Sequence, residues 1–178
     1  MRSMDELRSY CLEKTMSLEA SLLAAHGKVA SGISDKRRDV VVKSIGTSSF
    51  VAMFAGGALL SRSNPAFGGL AMLLLGLIAV HKTRFESHNL EHNLEHYDDP
   101  ELVSRVLPPA AYMAGGVVLV YGITKLVNGV VERDSASIYD GVRDTFIGGG
   151  VLGQCTERYL RDGYKFMRRL ELTTPDPK

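Results

Sequence analysis

The chain has 178 residues and a formal net charge of +1. That length allows one domain with a sizeable core, and that charge excludes the broad basic field of a nucleic-acid binder. Its two cysteines, Cys11 and Cys155, lie far apart in unlike surroundings, which excludes a disulfide framework and a CxxC metal pair. Charge is concentrated in residues 1–43, 81–105, 132–144 and 156–178, with strongly apolar runs between.

The N-terminus, MRSMDELRSYCLEK, has no uninterrupted apolar core and no small-residue cleavage site, so it does not read as a secretory leader. Ser3-Met4-Asp5-Glu6 has the form of a capping box with two acids in the first turn. Leu7, Cys11, Leu18, Leu22 and Ala25 fall roughly on one face. Residues 4–30 are therefore expected to form one or two amphipathic helices ending near Gly27 or Gly32. The amphipathic arm covers residues 1–39 and could lie on a membrane, meet a partner or dock on the rest of the chain.

From Val40 to Leu60 the only charge is Lys43. Ser61-Arg62-Ser63-Asn64-Pro65 then signals a turn, with Pro65 suited to a first helical position. Ala66 to Val80 is a second apolar run. A membrane span needs roughly 20 apolar residues, about 17 at the least. The pair reads as a first membrane hairpin over residues 40–81, if Pro65 and His81 sit in the interface.

Residues 82–105 form a polar connecting helix that carries HNLEHNLEH. His88, His92 and His96 make a slowly drifting stripe with Glu91 and Glu95 beside it, and Leu90, Leu94 and Tyr97 lie opposite. Imidazole and carboxylate together suit zinc or a similar divalent ion, which would be the only cofactor. The stretch also matches H-x-x-E-H twice, but a four-residue tandem repeat produces that overlap automatically. Adjacent turns give one tetrahedral ion two good ligands at most. The preferred reading is a solvated cytoplasmic extension of the second span.

Val106 to Val131 is long enough to span, with only Lys125 charged, and Pro108 and Pro109 suit its start. Thr145 to Cys155 is about 11 residues, the length of a buried or re-entrant segment. Asp140, Arg143 and Asp144 have the spacing of a local ion-pair set. If this fourth segment crosses, residues 1–39 hold seven Lys and Arg, 82–105 three and 156–178 six on one side. The other side has only Arg62, Arg133 and Arg143. That positive-inside pattern puts both termini in the cytoplasm. The expected fold is all-α and polytopic, with a second membrane hairpin over residues 106–157 whose last helix is short and shielded, then a basic tail over 158–178.

Small residues are placed to let these helices approach closely. Ala52 and Gly56 are four apart, as are Ala111 and Gly115, and Gly149 and Gly153; Gly115, Gly122 and Gly129 recur every seven. Gly148-Gly149-Gly150 lacks the lysine and hydroxyl residue of a phosphate loop. No serine–histidine–acid set is evident, and no enzyme is expected. The expected role is structural or in assembly, with the lipid bilayer, further copies or larger membrane complexes as partners and no nucleic acid. A metal or ion transport or sensing component is the first alternative. An amphitropic pore-forming protein is the second.

Overall fold

A computed structural model describes residues 4–71, 73 and 102–173, with side-chain surroundings for residues 14, 17–71, 73 and 108–168. The described residues are all-helical. Helix α1 spans Met4–Ser31, α2 Asp35–Ser63, α3 Leu102–Glu132 and α4 Ser135–Thr173. Residues 4–31 of the amphipathic arm are thus a single helix with Gly27 inside it rather than at its end, while residues 35–39 already belong to α2. Ser3 of the expected capping box lies outside the described residues.

Asn64 ends α2 and starts the next helical stretch. Its backbone is extended (φ −145°, ψ 94°), its N–H donates to the Leu60 carbonyl (2.8 Å), and its side-chain carbonyl accepts from the Phe67 N–H (3.2 Å). Pro65 follows at the first helical position, where its missing N–H costs nothing. Helix resumes over residues 65–71. The body of the second apolar run lies outside the described residues.

The prolines of α3 sit inside the helix, not at its start, because α3 begins at Leu102. Their rings hold φ near the helical value. Each proline removes the N–H that would bond the carbonyl four residues back, at Ser104 and Arg105, and each ring crowds that carbonyl.

Two residues, Arg133 and Asp134, turn α3 into α4. Arg133 takes left-handed φ (57°). The Asp134 N–H reaches back to the Gly129 carbonyl (2.9 Å) and the Arg133 N–H to Val130 (3.4 Å), the bonding pattern of a Schellman end. Asp134 then caps α4: its carboxylate accepts from the Ala136 and Ser137 N–H groups (3.1 and 3.2 Å) and from the Ser137 hydroxyl (2.5 Å). These bonds, the Ser137 hydroxyl first, hold the Asp134 carboxyl below its usual range.

Helix α4 runs unbroken for 39 residues, about 58 Å at 1.5 Å per residue. The short fourth segment and the basic tail expected from the apolar pattern are therefore parts of one helix, continuous to Thr173. It packs against all three of the other long helices. Residue pairings along the contacts show α2 and α3 running antiparallel to it and α1 running with it. Among the described residues two stretches are long and apolar enough to cross a membrane, α2 and Pro108–Glu132 of α3, yet only 28% and 17% of their apolar windows are buried.

Candidate functional site: the helix-packing seams and their polar ends

Glycine sets the distance between α4 and its neighbours. On α3, a Cβ at Gly115 would meet the Leu152 N at 2.9 Å, one at Gly122 would meet the Thr145 N, and one at Gly129 would meet the Ile138 N at 2.6 Å. The facing positions on α4 are also glycines seven apart: Cβ atoms at Gly141 and Gly148 would meet the backbones of Leu126 and Leu119. Two glycine rows thus mesh along one antiparallel seam, and each faces main chain rather than yielding side chain. Such close approach is what joins helices where lipid supplies little hydrophobic drive.

The α2–α4 seam uses different chemistry. Gly150 receives Met53 and the Ser49 carbonyl, Gly153 receives the Ser49 side chain, and Gly56 receives Ile147. Gly46 lies under the Glu157 carboxylate, and its carbonyl accepts from the Gln154 amide (2.5 Å). A third approach joins α1 to α4, where Gly27 and Gly163 lie directly against each other.

Of the positions singled out by spacing, Gly115, Gly122, Gly129, Gly153 and Gly56 lie in these seams. Ala52 and Ala111 are half-buried on the same helices. Gly149 does not share the tight contact: a Cβ there would meet only the Leu119 Cδ1, at 3.7 Å. Its neighbours Gly148 and Gly150 face the α3 and α2 seams instead. Gly27, Gly46, Gly141, Gly148, Gly150 and Gly163 are seam positions that the spacing argument passed over, although Gly141 and Gly148 are themselves seven apart.

Two polar layers cap the seams. At the α3–α4 turn end, Asp140 takes Lys125 (3.1 Å) and Arg143 (2.8 Å), and Arg143 also reaches Asp144 (2.8 Å). Four charges close on themselves at net zero. Beside them the Tyr139 hydroxyl donates to the Leu59 carbonyl (2.6 Å), tying α4 to the end of α2. The local pairing expected for Arg143 is present, and Lys125 joins it from α3.

At the other end Arg158 reaches Glu19 of α1 (3.4 Å) and Asp162 (3.5 Å), while Arg161 faces Glu157 and Asp162. Above this layer the rings of His26, Tyr112 and Tyr159 meet at centroid distances of 5.5–5.7 Å, joining α1, α3 and α4. The His26 Nδ1 lies 2.8 Å from the Leu22 carbonyl, which fixes the ring. Tyr159 is fully buried.

His88, Glu91, His92, Glu95 and His96 lie outside the described residues. Among the described residues no group of three or more His, Cys, Asp or Glu could hold a metal ion. A shallow apolar groove of about 660 Å³ runs along the outer face of α3, between Tyr112, Gly116, Val120 and Leu152. Comparisons with protein-family models, with curated proteins and with solved structures return no match.

Proposed function

We propose that this chain is a small integral membrane protein with a structural or assembly role, its four membrane helices forming two hairpins with the C-terminus in the cytoplasm. The observation that carries the reading is an inversion. Val51, Phe54, Val117, Val120, Val127 and Val130 point outward, while Glu157 and Ser49 are buried between helices. Contiguous outward apolar surface of this extent suits a hydrocarbon surround. On α4, residues 145–156 carry no charge and span about 18 Å, while residues 140 and 161 are about 31 Å apart, close to the hydrocarbon thickness. The charged layers would then sit near the two interfaces, and α2 and α3 would screen the polar helix from lipid.

An assembly role suits a chain whose polar groups are turned to one another and whose apolar faces are free. The balanced Lys125–Asp140–Arg143–Asp144 set supports a structural tie over a conducting path, since each charge is already engaged. Reporter fusions at residue 178 and at Ser63 test the topology. Opposite sides are expected, and the same side for both removes the two-hairpin arrangement. Purification in mild detergent tests the role: self-association or a stoichiometric membrane partner is expected, and a monodisperse monomer without partners counts against it. Replacing His88, His92 and His96 with glutamine is expected to leave membrane insertion unchanged. Stoichiometric zinc lost in that variant favours the metal alternative.

A further inference from the structure

The first turn of α2 and the late turns of α4 are joined by one ring. The Arg38 guanidinium lies 3.4 Å from the Tyr164 ring centroid, and that of Arg168 lies 5.9 Å from the same centroid. The Tyr164 hydroxyl is 3.5 Å from the Asp35 carboxylate. Gly27 against Gly163 and Met167 brings the last turn of α1, with Lys28, to the same end.

The acids in the first turns of α2 are already matched. Asp35 pairs with Arg38, and Asp39 pairs with Lys43 at 2.8 Å. Lys28, Lys36, Arg37, Lys165 and Arg168 remain, contributed by three helices. All but the half-buried Lys165 are exposed. The adjoining layer of Glu19, Glu157, Asp162, Arg158 and Arg161 carries one net negative charge, but Glu157 and Glu19 are turned into the bundle and their side chains are only 8% and 12% exposed. The basic surface directly precedes Val40 and Val41, which are exposed and begin the apolar run of α2. Cations thus form a collar at the edge of an outward apolar band.

We propose that this collar is a binding surface for anionic phospholipid headgroups in the leaflet at this end of the molecule. The proposal rests on the membrane reading above. Phosphate-bearing headgroups supply the matching charge at the depth where the apolar band stops, and basic residues at a membrane edge draw anionic lipid. Arg38 acts as the pin of the collar, held by Tyr164 and Asp35, while Lys36, Arg37 and Lys165 face the headgroups.

The test uses the full chain reconstituted in phosphatidylcholine bilayers with spin-labelled phosphatidylglycerol or phosphatidylcholine at trace level. Wild type should associate with the anionic probe at least about threefold more strongly, and 0.5 M salt should erode the preference by screening. Lys36→Gln with Arg37→Gln and Lys165→Gln should bring the ratio near one. Arg62→Gln, at the far end of α2, should leave it unchanged. Equal association of both probes with wild type overturns the collar, as does a preference that survives the triple change or is lost with Arg62→Gln. Carbonate extraction separates the two readings. Retention in the membrane without lipid preference leaves the membrane assignment standing and removes the collar, whereas release into solution removes both.

Discussion

Helices α3 and α4 share one seam and a two-residue turn, but they are built on opposite rules. From Pro108 onward α3 has a single cation inside its apolar stretch and turns most of its large side chains outward. Charged residues recur along α4 from Asp140 to Arg168, and it buries Tyr159, Leu160 and Glu157. Six glycines lie within α4, each costing about 1 kcal/mol against alanine in a helix exposed to water. It is therefore a helix held by its surroundings rather than by its own propensity. The pair teaches that in such a bundle the more polar helix can be the central one, provided its neighbours present the apolar faces.

The contrast breaks most severely at the seam. Gly148→Leu should remove the folded bundle, because the added atoms meet the Leu119 backbone, which cannot rotate away. Overpacking costs about 1–3 kcal/mol where side chains can yield, and more against main chain. Gly149→Leu, one residue along, should be mild. Detergent gel filtration of the two variants side by side measures the difference, and equal behaviour would mean the seam does not set the helix separation. On α3 the matching pair is Gly122→Leu against Val120→Leu, the former disruptive and the latter close to silent since Val120 points outward.

Next in size is Arg143→Met. It leaves Asp140 with Lys125 alone and Asp144 without its guanidinium partner, at about 1–3 kcal/mol for stranded polar groups. A lowered thermal midpoint is expected. Adding Asp144→Asn should recover part of it, and no recovery would deny the coupling.

The turn sharpens the comparison in the other direction. Arg133→Gly relieves a left-handed residue of its Cβ and should raise stability by up to about 1 kcal/mol. No gain in the thermal midpoint would show that the side chain compensates. The smallest effect belongs to Asp134. Its folded carboxyl titrates below the unfolded one, so its stabilisation is complete above the unfolded pKa and is lost as pH falls through the folded pKa. Asp134→Asn should keep the cap and flatten this acid limb, whereas Asp134→Ala should lose both. Unfolding curves between neutral and acid pH distinguish them.

The α2 and α3 stretches were legible because length and apolar content suffice to mark them. The α3 glycine row was legible through its period of seven. Helix α4 was not, since an apolar-run criterion stops at Arg143-Asp144 and Glu157-Arg158, where this chain continues in helix by pairing those charges with one another and with α1. Gly148 and Gly150 take their place only from the α3 and α2 backbones on either side of them, which no local pattern encodes. The contacts of His26 with Tyr112 and Tyr159 join residues remote in sequence, and no local pattern encodes them.

The order of the helices along the chain has a consequence for biogenesis. Helix α4 leaves the ribosome after α1, α2 and α3, all of which it touches. Its seam with α3 forms between neighbours across a two-residue turn and can zip at once. Ser49 and the Gly46 carbonyl of α2, by contrast, must wait for Gly153 and Gln154, about a hundred residues later. At about 5–20 residues per second that is an interval of roughly 5–20 s. During it this seam of α2 stays open, and in the proposed membrane setting α2 would wait in the translocation machinery or the bilayer. Ribosome-stalled chains ending before residue 135 should, on the membrane reading, show α2 crosslinked to insertion factors, and full-length chains released from the ribosome should free it.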